Sequence, residues 1–341
     1  MTRQLSALYL ATIVAVVSAV SLSSAAAVVE PPPQREAQYQ ILPSPDLLNR
    51  LLELSTSYPN FCTLTTTQEW FGLPRAGEND DCPFDEIYAA TKSSDTTSSS
   101  AAAAASGAGC NNYVLIIQDK EAYPNDPDVQ LDINFSTQQQ EQQNSESEGW
   151  KFIPDVFLSG SVHGNERVGP TSLIEMSELL LESAACESLP RMKFQPSNNS
   201  DDNDEHDDTD KDDTAAAAGK QFTQEQWEQE LSSAHNCRES LAQKGIPSPL
   251  RQWLARLVST RRTIIIPTAN ALGYSRNKRE EGSIDPNRDF PFDIEQYHEE
   301  ECMQTIAGRS INELWRSHLF QIGLTFHGGM EVIGYEWGAP T

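Results

Sequence analysis

The sequence predicts an α/β domain built on a mixed, mostly parallel central sheet flanked by helices. Apolar runs of strand length alternate with segments whose apolar residues recur every three or four positions. Two of those runs end in a histidine followed by glycine, at His163-Gly164 and at His327-Gly328-Gly329. Open α/β sheets gather their ligand chemistry at the carboxyl ends of the strands. Those two turns are therefore where function is sought.

In chain order, Arg3, the apolar stretch Leu5 to Leu22 and the small residues Ala25 to Ala27 read as a signal peptide over 1–27. A retained signal anchor stays open as the alternative, because the apolar run is long. Residues 28–44 form a proline-rich linker, and the domain occupies 45–341. Leu47 to Leu54 has helical spacing; Phe61 to Thr66 and Tyr113 to Gln118 read as strands. Val156-Phe157-Leu158 is a strand that runs through the His163 turn into a helix carrying Leu173, Ile174, Met176, Leu179 and Leu180. Leu250, Trp253, Leu254 and Leu257 mark a further helix, and Thr263 to Ile266 a buried strand closed by Pro267. Ile311, Leu314, Trp315 and Leu319 make the last helix, and Gln321 to Phe326 the last strand.

Three low-complexity or disordered insertions interrupt this pattern, near 93–109, 136–148 and 187–246. The third holds the acidic run Asp201 to Asp213, whose like charges favour an extended chain. That run lacks the fixed Gly and distal Glu of a calcium loop.

The chain has 341 residues and a formal net charge of −26, which makes nucleic acid and anionic membrane surfaces poor partners. Six cysteines without a Cys-x-x-Cys pair suit disulfides in an oxidising compartment, with fifteen possible connectivities. Cys186 and Cys237 flank the third insertion and are expected to staple its ends. Asn134-Phe135-Ser136 and Asn198-Asn199-Ser200 are glycosylation acceptors, weak support for secretion.

At the His163 turn, an imidazole and the carboxylate of Glu166 stand three residues apart on a strand-to-helix junction. Such a pair supplies two of the three protein ligands of an open zinc site, and His327 at a second strand end would supply the third. His298 and Glu301 repeat the spacing, but in an acidic, helix-like stretch with no preceding strand, so that pair reads as a solvated face. His206, His235 and His318 read as structural or solvated.

These pieces together resemble the zinc metallocarboxypeptidases of the pancreatic type. His163 to Glu166 (HGNE) is similar to the family's first ligand pair. Asn270 to Tyr274 (NALGY), leading to Asp285 to Pro291 (DPNRDFP), is similar to its Asn-Pro-Asp-Gly-Tyr and Asn-Arg-Asn-Phe segments. Phe326 to Gly329 (FHGG) is similar to the segment carrying the last ligand. The resemblance implies one zinc ion held by His163, Glu166 and His327. It implies that Asn287 and Arg288 grip the terminal carboxylate of a peptide, a task for which a guanidinium fork is suited. Arg279 would polarise the scissile carbonyl, with Arg276 as fallback. The implied partners are peptide or protein C-termini.

The chain departs from the family pattern at Asp289, at Ala271-Leu272, and at its end. The family's general-base Glu and capping Tyr lie many tens of residues after the last ligand, and this chain runs fourteen residues past His327. Glu331, Tyr335 and Glu336 lie too near His327 for those roles. On this reading the domain is truncated and its sheet incomplete at the C-terminus. Two functions follow: a secreted zinc exopeptidase, or a non-catalytic secreted zinc- or peptide-binding protein of the same fold.

Overall fold

The computed structural model describes residues 40–78, 80–93, 109–124, 126–128, 153–189, 224–291, 302–329 and 331–334. The signal peptide, most of the linker, both glycosylation triplets, the acidic run and almost all of the first two insertions lie outside the described residues, as does His298.

Five strands form one mixed sheet in the order β1-β2-β4-β3-β5: β1 (Cys62–Thr66), β2 (Tyr113–Ile117), β3 (Asp155–Gly160), β4 (Arg262–Ile266) and β5 (Phe320–Phe326). The β1-β2 and β2-β4 pairings are antiparallel; β4-β3 and β3-β5 are parallel. The sheet is thus mixed as expected, with the parallel pairings confined to the half that carries both histidine turns.

Side-chain alternation explains why β2 and the end of β4 are uninterrupted apolar runs. Leu115, Ile117, Leu158 and Ile265 face one side of the sheet; Val114, Ile116, Phe157, Ile264 and Ile266 face the other. Both sides are covered along β2 and β4, so neither parity needs a polar residue there. On the first side lie α1 (Ser44–Ser57), α4 (Val168–Glu187) and α6 (Ser248–Thr260), contributing Leu48, Leu51, Leu173, Ile174, Leu181 and Val258. The second side is closed by the short α2 (Thr67–Phe71) and by α8 (Ile306–Ser317), with Trp70, Phe71 and Leu314. Helix α3 (Asp85–Ser93) and the short α7 (Ala271–Arg276) complete the set with α5 (Gln224–Gln243).

Helix α5 corrects the disordered reading of 187–246. It falls inside that span and includes His235. Its face is weak, burying Ala234 and Leu241 among mostly polar neighbours, so hydrophobic pattern alone did not reveal it. Tertiary ties hold it instead. Cys237 is bonded to Cys186 on α4, Arg238 donates to the Leu189 carbonyl at 2.7 Å, and Lys244, just past its end, pairs with Glu182. The expected Cys186–Cys237 staple is therefore present, and Cys82–Cys110 forms a second disulfide.

At the amino ends of the parallel strands lies a buried charge cluster. Arg262, the first residue of β4, donates to Asp126 at 2.7 and 2.8 Å and to Asp155, the first residue of β3, at 2.9 and 3.0 Å. Asp128 joins Arg262 at 3.0 Å and His318, just before β5, at 2.9 Å. Removing the cation would leave carboxylates buried without compensation. Arg262→Met should destabilise the domain by about 3–5 kcal/mol in urea unfolding. A loss below about 1 kcal/mol would show that these carboxylates do not depend on it.

Candidate metal centre

The His163 turn is set by backbone. β3 ends at Gly160, Ser161 takes a left-handed conformation at φ 50°, and the Ser161 hydroxyl donates to the His163 carbonyl at 3.0 Å. The Glu166 amide donates to that same carbonyl at 3.0 Å, closing a tight turn that points imidazole and carboxylate the same way. Gly164 is required here for a reason the sequence did not show. A Cβ on it would lie 2.1 Å from the Gly273 carbonyl carbon and 2.4 Å from both the Lys278 oxygen and the Tyr274 nitrogen. The turn lies directly against α7, and no side chain fits between them.

β5 brings in the third group. His327 follows its last residue, and the His327 Nδ1 and Gly328 amide meet Glu166 Oε2 at 2.8 and 3.0 Å. His163 Nδ1 meets the other oxygen, Oε1, at 2.9 Å. Potential ligand atoms of His163, Glu166 and His327 all lie within 4.8 Å of one another. Three donors about 2.1 Å from a tetrahedral ion would stand about 3.4 Å apart. The imidazoles approach Glu166 slightly closer than that, so a small withdrawal of the carboxylate would admit an ion. A two-histidine, one-carboxylate set with both Nδ1 atoms turned inward fits a zinc ion.

Asp285 is the functional residue that sequence reasoning passed over. Its Oδ1 meets the outer nitrogen of His163, Nε2, at 3.0 Å and accepts the Asn287 amide at 2.9 Å. Its Oδ2 accepts from Arg279 Nε and Nη2 at 3.1 and 2.9 Å. A carboxylate on the outer nitrogen fixes the ring's orientation and tautomer, leaving Nδ1 to face the cluster. The signal was present in Asp285-Pro286-Asn287, where Asp precedes Pro and the chain turns into a 3-10 segment, Pro286–Arg288. That pattern predicts a cap, and the second partner, across 122 residues, is invisible to it.

The remaining expected residues separate. Arg279 stands 3.7 Å from Glu166 Oε1, beside the cluster, whereas Arg276 pairs with Asp81 on the surface. Asn287 reaches the cluster through Asp285, and Arg288 is exposed, its guanidinium donating to the Asn287 carbonyl at 3.0 Å. Asn270 caps α7 by accepting from the Gly273 amide and donates to the Arg279 carbonyl at 3.1 Å, so NALGY supports Arg279 from behind. Asp289 is buried and accepts the Gln304 and Thr305 amides and the Thr305 hydroxyl, just ahead of α8. A neutral Asn would supply only one acceptor oxygen there.

Burial works to raise the Glu166 carboxyl, but hydrogen bonds from Gly328, His163 and His327 outweigh it and hold the group below its ordinary value. For Asp285 burial is likewise outweighed, by Arg279 and the Asn287 amide. Both stay ionised into mild acid, the state a metal ligand and its supporting carboxylate need.

The site is a two-histidine, one-carboxylate cluster at adjacent parallel strand ends of a mixed α/β domain. No known protein-family model matches the chain, and no curated protein sequence matches it. Among solved structures, thrombin activatable fibrinolysis inhibitor aligns with a TM-score of 0.38 and 8% identity, covering 84% of this chain and 46% of that one. Carboxypeptidase A from Helicoverpa armigera aligns at 0.36 and 12%, covering 85% and 46%. This chain thus spans less than half the length of either structure. At those scores the likeness adds no weight to the geometry above.

Two outcomes test the site. Gly164→Ala should destabilise the domain and lower metal retention, measured by thermal unfolding and metal analysis, because backbone atoms occupy the new Cβ position. The second concerns acid. Carboxyls held low in the folded protein stabilise it above their unfolded values, about 4, and that contribution is lost as pH falls through the folded values. The Tm of metal-free protein should therefore drop on acidification below about pH 4. In Asp285→Asn the drop should be shallower, from a lower starting Tm.

Proposed function

We propose that this chain forms the metal-binding and carboxylate-gripping part of a secreted zinc metallocarboxypeptidase, acting on the C-termini of peptides or proteins. The observation that carries the reading is the convergence of His163, Glu166 and His327 with Arg279 beside them. In it His163, Glu166 and His327 would hold one zinc ion, whose bound form supplies Lewis acidity toward a peptide carbonyl.

The chain's own residues supply the rest. Asp285 holds His163 in register and, through Arg279, ties the cation to the same frame. Arg279 is half-exposed beside the cluster and would stabilise negative charge developing on a carbonyl oxygen. Asn287 and Arg288, on the 3-10 turn that follows, would bind the free terminal carboxylate. A cation at that position selects for a chain end, because an internal peptide bond presents no charge to it. Export is proposed from the N-terminal apolar stretch and the two disulfides. Among the described residues, no helix is long and apolar enough to cross a membrane.

One observation favours a second reading, zinc and peptide binding without turnover. Hydrolysis needs a base for the attacking water. Among the described residues, the carboxylates that meet the two histidines are already engaged, Glu166 with both histidines and Asp285 with His163 and Arg279.

Zinc titration should show one ion per chain, abolished by His163→Ala or His327→Ala. A peptide with a free C-terminus should bind the zinc-loaded chain, and its amidated form should bind about tenfold or more weakly. Arg288→Ala should erase that difference while leaving zinc content unchanged. Zinc uptake indifferent to His327→Ala would sink the metal assignment; equal binding of free and amidated peptides would sink the carboxylate grip. Release of C-terminal residues by the 341-residue chain would decide for the enzyme, and tight binding without release for the second reading.

A further inference from the structure

Helix α8 brings no negative charge to its own start. It opens Ile306-Ala307-Gly308-Arg309, and the first amides of a helix have no acceptor inside it. Thr305 serves one of them, accepting from the Gly308 amide at 2.9 Å. The other two are taken by a carboxylate from an earlier loop. Glu281 Oε1 accepts the Ile306 amide at 2.6 Å, and Oε2 accepts the Ala307 amide at 2.9 Å. Asp289 holds the residues just before, through the Gln304 and Thr305 amides at 2.9 and 2.8 Å. Its carbonyl also accepts the Met303 amide at 2.7 Å. The segment 281–289 is thus held at both ends against one helix start, where the helix dipole favours carboxylates.

Between and beside those two holds stand the polar groups of the site. Glu281 and Ile284 exchange backbone hydrogen bonds at 3.0 and 3.2 Å, closing a tight hairpin whose tip uses Gly282 at φ 66°. Arg279 stands two residues before that bridge and Asp285 one residue after it, so their ion pair spans the base of the hairpin. Asn287 and Arg288 follow on the 3-10 turn, which ends at Asp289. Arg288 is exposed, so its placement depends on the backbone beneath it.

We propose that Glu281 is a positioning residue: its carboxylate ties the Arg279–Asp285 hairpin to α8 and, with Asp289, sets where the Asn287-Arg288 turn meets a peptide's terminal carboxylate. The tie to α8 stands on the contacts above, whereas its service to a carboxylate grip rests on the metallocarboxypeptidase reading. A binding group must be held to within about 0.5 Å of its productive place by the shell behind it, and Glu281 supplies that shell from outside the cluster.

Glu281→Gln replaces one acceptor oxygen by an amino group that would face a helix amide donor to donor. In that variant zinc should still bind at one ion per chain. The preference of the zinc-loaded chain for a free over an amidated C-terminus should narrow at least threefold. Amide hydrogen exchange should quicken at least tenfold, relative to β4, at Asn287 and Arg288, whose amides are held by Asp285. Leu314→Ala controls for a merely structural role: it opens a cavity on the buried face of α8 and lowers the Tm, and it should move neither the preference nor the local exchange. Glu281→Asp, which keeps the charge on a shorter arm, stands in if the glutamine variant fails to fold. The proposal is overturned if exchange at 287–288 is unchanged relative to β4, or if Leu314→Ala shifts both readouts as much as Glu281→Gln. A preference that survives while exchange quickens would overturn the link between the tie and the grip. Wild-type protein that binds free and amidated peptides equally would sink the carboxylate grip instead, and exchange in the variant would then decide the positioning role alone.

Discussion

The Glu166 carboxylate is the contact on which the site's architecture depends. It touches both strand ends, with His163 on one oxygen and His327 and the Gly328 amide on the other. β3 and β5 are neighbours in the sheet, so their carboxyl ends lie side by side without any long-range adjustment. Glu166 bridges that gap because the turn after β3 is tight enough to aim it back at the strand ends. The tightness rests in turn on Gly164 lying against α7. A cluster built this way is prearranged by the backbone, and a metal would add ligation with little ordering cost.

Charge is gathered at both ends of the parallel strands, in opposite styles. At the amino ends Arg262, Asp126, Asp128, Asp155 and His318 interlock among buried groups, an arrangement suited to fixing where β3, β4 and β5 begin. At the carboxyl ends the groups are partly open, with His327 and Arg279 reachable from solvent. The buried end fixes register; the open end leaves room for a ligand.

Much of this was legible in the sequence because period and punctuation agree. Ile264-Ile265-Ile266 before Pro267 is a strand covered on both faces, and Leu47, Leu48, Leu51 and Leu54 are one helical face; the structure buries all seven. The two histidines followed by glycine stood out because strand, turn and chemistry coincide at each. Helix α5 did not, since a polar helix held by a disulfide and ion pairs has little hydrophobic signature. Asp285 escaped for a related reason. Its local role, capping the turn at Asn287, is written in neighbouring residues, but its contact with His163 joins positions 122 apart.

The sequence by itself determined the strand and helix alternation, the apolar faces, and which residue types stand at the two turns, because those follow from periods of two and 3.6 and from glycine's freedom. Strand order could be decided only by the tertiary structure. Nothing local puts β5 beside β3 or makes β2 run against β4; many side chains packing at once on both faces choose that arrangement. With strand order came the rest: His327 set against Glu166, Arg279 brought beside the cluster while Arg276 pairs with Asp81, and Gly164 given its reason. Contacts across more than a hundred residues carry no periodic trace along the chain, so they become visible when the chain is folded.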